Sequence, residues 1–269
     1  MVKLDKNRLT LISGPCAIES VKHATFMAKE IKSRCEDLDI QYIFKASWDK
    51  ANRTELKSYR GYDLDLAVNM FQEIKSGADV LVTTDFHESW QAERLKDIVD
   101  VLQIPAFLCR QTDMLVSASR TGLPVNIKKG QFISAKDTKS VINKVTSSGD
   151  SDVWLTERGN VFGYGNYIVD YRNIVIMREY APVIFDASHT VQKGAKGGSS
   201  GSCREFIEPL AKAAMAVGVD GLFIEVHDRP NEALSDGTSS LDLKDLTPLL
   251  DKVLKIRRAN LEGLNENIN

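Results

Sequence analysis

The chain of 269 residues carries 35 Lys plus Arg against 37 Asp plus Glu, a formal net charge of −2. That length suits one large α/β domain or two small ones, and the near balance leaves no basic excess to neutralise a nucleic-acid backbone. No apolar run approaches the roughly 20 residues of a membrane span, and Met1 to Arg8 has no apolar signal core. The cysteines Cys16, Cys35, Cys109 and Cys203 lack framework spacing, so reduced thiols in a cytoplasmic protein are expected.

Short apolar runs alternate with amphipathic stretches from end to end. Strands are expected at residues 9–13, 40–46, 80–84, 105–108, 125–127, 153–156, 183–187 and 221–226. Helices are expected between and after them, at 21–35, 64–75, 90–99, 113–121, 135–146, 171–180, 205–217 and 241–258. Eight such units predict a (β/α)₈ barrel, a TIM barrel. A doubly wound sheet competes, but it usually has a Gly-rich phosphate turn after its first strand, and Gly14-Pro15-Cys16 is not one. With no linker or repeat, residues 1–269 read as a single domain with a short extension at 1–8 and a polar tail at 262–269. The low-complexity stretch 193–202 does not fit the phosphate-loop pattern. It is compatible with a lid and equally with plain slack.

The strand ends carry the chemistry. The second expected strand, apolar through Tyr42-Ile43-Phe44, turns cationic: Lys45, Lys50 and Arg53 lie within nine residues. Alone, that stretch reads equally as an anion site or as a solvated basic loop. Other ends repeat the pattern. Cys16 follows the first strand, Asp85 and His87 the third, Arg110 and Gln111 the fourth, and Lys128, Lys129 and Gln131 the fifth. Arg158 follows the sixth, Asp186 and His189 the seventh, and Glu225, His227 and Asp236 the eighth. Barrel enzymes act at this face. Lys45, Lys50, Arg53, Arg110, Lys128 and Arg158 would ring one mouth, and with few acidic residues nearby in sequence, two anionic ligand groups are expected to balance them. Cys16, His189, Glu225 and Asp236 form a second group of a kind that binds a divalent metal ion, Zn²⁺, Fe²⁺ or Mn²⁺. Singly, Cys16 reads as a buried thiol and His189 as a hydrogen-bonded loop residue.

Eight segments together resemble one family: GPCAIES, FKASWDKANRT with SYRG, IPAFLCRQTD, NIKKGQF, ERGNVFGYGN, VIFDASHTVQ, GLFIEVH and SDGTSSL. They run in order from Leu9 to Leu241 and resemble the 3-deoxy-D-manno-octulosonate 8-phosphate synthases. The resemblance implies a (β/α)₈ transferase, usually a homotetramer. It condenses phosphoenolpyruvate with D-arabinose 5-phosphate and water, releasing phosphate, for the inner core of bacterial lipopolysaccharide. It also implies roles. Lys45, Lys50, Lys128 and Arg158, with Gln103 and the Ala106 backbone, stand at the phosphoenolpyruvate pocket. Asn52, Arg53 and Thr54 stand where the family's KANRS motif holds the pentose phosphate, reaching a neighbouring subunit's site. Asp85 and Gln131 stand near the sugar and the reacting centre, Arg110 among the substrate-binding cations, and Lys45, Lys50, Asp85, Lys128, His189 and Asp236 among the catalytic groups. One branch of the family needs no metal and has Asn where this chain has Cys16, and CDG where it has Ser235-Asp236-Gly237. Cys16 and the SDG form therefore resemble the metal-dependent branch.

The nearest rival is 3-deoxy-D-arabino-heptulosonate 7-phosphate synthase, which uses erythrose 4-phosphate and carries a KPRT-type motif; Asn52 argues against it. A sialic-acid-type synthase needs a further C-terminal domain. A Schiff-base aldolase using Lys45 or Lys128 leaves the metal-type quartet unexplained. A non-catalytic sugar-phosphate-binding barrel would lose the quartet or the glycine-rich stretch, and both are present.

Overall fold

The computed structural model describes residues 2–53, 55–196 and 199–266. Thr54, expected at the pentose phosphate, and Gly197-Gly198 of the glycine-rich stretch lie outside the described residues. The first half runs β1 (Thr10–Ala17), α1 (Val21–Asp37), β2 (Gln41–Ser47), α2 (Leu64–Ala78), β3 (Leu81–Asp85), α3 (Gln91–Leu95), β4 (Val101–Ile104) and α4 (Thr112–Arg120). The second half runs β5 (Val125–Lys128), α5 (Thr138–Thr146), β6 (Val153–Glu157), α6 (Arg172–Arg178), β7 (Val183–Asp186), the pair β8 (Gln192–Lys196) and β9 (Ser199–Ser202), α7 (Ile207–Val217), β10 (Gly221–His227), β11 (Leu241–Asp242) and α8 (Leu243–Glu266). Strands β1 to β7 and β10 pair in parallel in chain order, and β10 pairs back onto β1. This closes an eight-stranded barrel with helices outside, as the alternation of patterns predicted.

Strand alternation sorts the side chains. Outward residues pack against the helices in one large apolar cluster. Inward residues form a second, small cluster of Ile12, Ile43, Val101, Trp154, Ile184 and Phe223. Val2 and Leu4 pack against it, so the N-terminal extension closes the barrel's amino end. Two residues further along the same strands the inward positions turn polar: Lys45, Gln103, Asp186 and Glu225, all buried. The barrel is therefore plugged by hydrocarbon at one end and lined with charge at the other.

Several boundaries differ from expectation. The first strand runs on to Ala17, so Cys16 lies within β1 and not after it. The fourth strand is Val101–Ile104, and 106–108 form a short helical turn instead. Pro105 has no N–H for the ladder and ends the strand. The expected helix at 90–99 shrinks to Gln91–Leu95. The last helix continues to Glu266, well past residue 258, so 262–266 are helix rather than tail. The glycine-rich stretch is not bare slack, because its flanks pair as the antiparallel β8 and β9.

Candidate active site

Cys16 reaches the mouth through a local device in β1. Register with β2 shifts between Ser13 and Cys16, and Cys16 takes φ of 69°. Gly14 makes the shift feasible, since a Cβ there would lie 2.0 Å from the Lys45 carbonyl oxygen. Cys16 Sγ then sits 3.3 Å from Asp236 Oδ2 and 3.4 Å from Ser235 Oγ. Asp236 also has positive φ, 51°, in a turn before Gly237, whose Cβ would meet the Pro230 carbonyl at 2.1 Å. Burial, with the nearby Glu225 and Asp236 charges, pushes the Cys16 thiol up to about 12.

His189 Nε2 lies 3.7 Å from Asp236 Oδ2 and 3.8 Å from Glu225 Oε1. The four expected metal-type residues, from β1, β10, the turn after β7 and the loop after β10, are thus linked pairwise, Cys16 to Asp236 to His189 to Glu225, without all four ligand atoms lying within 4.8 Å of one another. Glu225 is fully buried; Lys45 Nζ donates to its Oε1 at 3.2 Å, and its Oε2 has no partner among the described residues. Lys128 Nζ donates to Asp186 Oδ2 at 2.5 Å and stands 3.1 Å above the Phe223 ring centre. Burial lowers Lys128 to about 8. Burial works against the charge on His189, and adjacent Asp186 outweighs it, so the ring's pKa is raised. Asp85 accepts from Ser47 Oγ at 2.5 Å; its own burial is outweighed by Lys45 and His87, and its carboxyl is held well below the usual range.

One expectation needs correction. The cations are not short of carboxylates: Lys45 meets Glu225, Lys128 meets Asp186, and Lys50, whose burial disfavours its charge, has its pKa raised by surrounding groups that include Asp236, Asp85 and Glu225. These partners come from other strands across the barrel, so nearness in sequence could not reveal them. Lys129 points away from Lys128. It is fully buried, 3.5 Å from Glu157 Oε1 and 2.9 Å from Asn160 Oδ1. Arg158 is buried, donating to the His189 carbonyl at 3.3 Å and to Gln192 Oε1 at 3.1 Å. Ala106 is buried in the turn after β4, whereas Arg110 is exposed. Asn52 is exposed and Arg53 half-buried on an excursion between β2 and α2, closed at its base by the Asp49–Arg60 ion pair at 2.7 Å. Arg53 lines a cavity of about 390 Å³ with Ser235 and Asp236.

Four buried polar atoms at this end have no partner among the described residues: Gln103 Oε1, Gln131 Oε1, Arg158 Nε and Glu225 Oε2. Such atoms are uncommon in folded proteins, and their convergence marks a place built to meet a polar ligand. Sequence reasoning missed Ser47 and Phe223 and gave Asp186 no role. Their signal was the period-two row on each strand: Phe223 precedes Glu225 by two residues, and Ser47 follows Lys45 by two.

A second cluster lies beside the first. Ligand atoms of Glu19, His23 and His227 fall within 4.8 Å of one another and could hold a metal ion. Hydrogen bonds tie them to their surroundings, with His23 Nε2 2.9 Å from Asp228 Oδ1. His227 Nδ1 accepts the Arg229 N–H at 2.9 Å, leaving the Nε2 proton to face Glu19 Oε1 at 3.3 Å. Glu19 Oε1 also accepts the Leu234 N–H at 2.9 Å, tying it to the loop that carries Asp236.

The DAHP synthetase I family model matches residues 2–261. The 2-dehydro-3-deoxyphosphooctonate aldolase of Koribacter versatilis is 52% identical over 262 residues, covering 96% of this chain and 94% of its own. The chain belongs to this family. Proteins of the same name from Synechococcus sp. and Campylobacter jejuni subsp. doylei are 47% and 49% identical, covering 95% and 93% of this chain and 91% and 98% of their own. Within the broad DAHP synthetase I family the chain therefore groups with the octonate enzymes, the 3-deoxy-D-manno-octulosonate 8-phosphate synthases, and the heptulosonate alternative is not favoured.

Proposed function

We propose that this chain condenses phosphoenolpyruvate with D-arabinose 5-phosphate and water to 3-deoxy-D-manno-octulosonate 8-phosphate and inorganic phosphate, supplying lipopolysaccharide inner-core synthesis in the cytoplasm. The observation that carries this reading is near-full-length identity of about half to proteins named for the octonate product. The charged mouth is consistent with it.

Lys45, Lys50, Lys128 and Arg158 hold the two anionic groups of the enol donor, with Gln103 and the Ala106 backbone completing the pocket. Asn52, Arg53 and Thr54 take the pentose phosphate, helped by Arg110. C3 of the donor attacks the aldehyde carbon of the acceptor, and water adds to C2. The resulting adduct expels phosphate from C2 and leaves the keto acid. Positive charge develops at C2 and negative charge on the aldehyde oxygen, so preorganised charges of both signs are needed. Asp85 and Gln131 orient the acceptor. Asp85 is suited to this because Ser47 and the Trp48 indole region hold it: Trp48 Nε1 donates to its carbonyl at 3.0 Å.

Cys16, His189, Glu225 and Asp236 fit a divalent ion. They offer sulfur, nitrogen and oxygen donors linked pairwise, Cys16 to Asp236 at 3.3 Å, Asp236 to His189 at 3.7 Å and His189 to Glu225 at 3.8 Å, and Glu225 Oε2 is a buried acceptor without a partner among the described residues. A Zn²⁺, Fe²⁺ or Mn²⁺ ion held by these residues would supply fixed positive charge to stabilise developing negative charge. The working form is a homotetramer in which the Arg53 loop serves a neighbour. Supporting this, Leu56 is 100% exposed and Phe162 88% exposed on this protomer, large apolar side chains that a partner would cover. No described helix is long and apolar enough to cross a membrane.

Phosphate release with each sugar tests the reading. Arabinose 5-phosphate is expected to be the acceptor and erythrose 4-phosphate a poor one. Comparable turnover with both, or a preference for the shorter sugar, would overturn it.

A further inference from the structure

Asp186 is fully buried at the carboxyl end of β7, and both of its oxygens are committed. Oδ1 accepts two backbone N–H groups, Ser188 at 3.1 Å and His189 at 2.8 Å. Oδ2 faces two side chains, Lys128 Nζ at 2.5 Å and His189 Nδ1 at 2.8 Å. The backbone bonds leave the carboxylate no freedom to turn, so Oδ2 must point at the imidazole. A carboxylate oxygen only accepts, so Nδ1 carries a proton and donates it. In the neutral ring the lone pair is then on Nε2, the nitrogen that faces Glu225 Oε1 and Asp236 Oδ2. The same segment is tied to the strand that carries Glu225: Ser188 Oγ accepts the Glu225 backbone N–H at 2.9 Å.

We infer that Asp186 is the positioning residue of the site: it sets the His189 tautomer so that the Nε2 lone pair faces Glu225 and Asp236, and it holds Lys128 on the same oxygen. The inference about tautomer stands on geometry alone; its consequence for metal binding rests on the proposed quartet. An orienting carboxylate behind a ligating imidazole typically contributes 10- to 100-fold in affinity. Sharing Oδ2 has a second effect. A cation at Nε2 polarises the ring and strengthens donation from Nδ1, so Oδ2 holds Lys128 less strongly. Lys128 is then freer to meet the enol donor's anion, so ion and donor are expected to favour each other's binding.

Asp186→Asn separates this role from general support. The two backbone N–H groups keep the amide oxygen at the Oδ1 position. The amide NH₂ then faces Nδ1, two donors would meet, and the ring must move its proton to Nε2. The experiment is ¹⁵N imidazole NMR on metal-stripped protein at a pH where the ring is neutral. The wild type should show His189 protonated at Nδ1, and Asp186→Asn should show it protonated at Nε2. Wild-type protein with the proton on Nε2 overturns the inference even if the variant does not fold. So does a folded variant that keeps the Nδ1 proton. Mn²⁺ titration is the second readout, with affinity expected to fall at least about 10- to 100-fold in Asp186→Asn. Wild-type protein that shows the Nδ1 tautomer and binds no Mn²⁺ supports the tautomer assignment and removes the quartet instead.

Discussion

Replacing Cys16 by Asn tests the proposed metal chemistry at the atom where the cost is largest. Burial raises the Cys16 thiol to about 12, so forming the thiolate at pH 7 costs roughly 7 kcal/mol before any ligand bond is made. A divalent ion must displace that proton to use the sulfur. The sign follows: the thiol's pKa lies above the working range, so each rise of one pH unit below it should strengthen binding about tenfold through this group. Protons released by His189 add to this and are common to wild type and variant. Calorimetric titration of metal-stripped protein with Zn²⁺, in buffers of different ionisation enthalpy, counts protons released per ion. Wild type should release one more proton than Cys16→Asn, and its affinity should rise more steeply with pH. In the variant, partial activity should survive a strong chelator, as the Asn-bearing branch of the family implies, whereas wild-type activity should be lost and restored by Zn²⁺, Fe²⁺ or Mn²⁺. Equal proton release in the two proteins would refute the thiolate argument. Wild-type turnover that is undiminished after complete removal of metal would refute the metal requirement itself.

Arg53→Ala should weaken the pentose phosphate by about 1.5–3 kcal/mol, the range for a charged hydrogen bond, and raise its KM while the KM for phosphoenolpyruvate changes less; steady-state kinetics with each substrate varied checks this. The Lys129–Glu157 pair, fully buried on both sides, should behave as structure rather than chemistry. Lys129→Met should cost about 3–5 kcal/mol in urea unfolding by leaving Glu157 uncompensated, and adding Glu157→Gln should recover much of that loss; a double variant as unstable as the sum of the singles would contradict it.

Much of this protein was legible locally. Eight alternations of apolar run and amphipathic stretch determined the barrel, because strand and helix periods are properties of neighbouring residues. The mouth was equally legible, since the end of an inward row is close in sequence to the row itself: Lys45 follows Ile43 by two residues, and Glu225 follows Phe223 by two. The fourth strand was misplaced because Gln103 interrupts the apolar residues from Val101 to Leu108, and Pro105 was read as the strand's start when its missing N–H makes it the end. What the chain alone could not decide is who faces whom. Lys128 and Lys129 are consecutive, yet one meets Asp186 and the other Glu157, since successive side chains leave a strand on opposite sides. Cys16 and Asp236 are 220 residues apart and touch only because β10 closes onto β1 and a bulge at Gly14 turns the thiol inward. Pairing across a barrel's closing seam leaves no trace in local composition; it exists only once the sheet has curled shut.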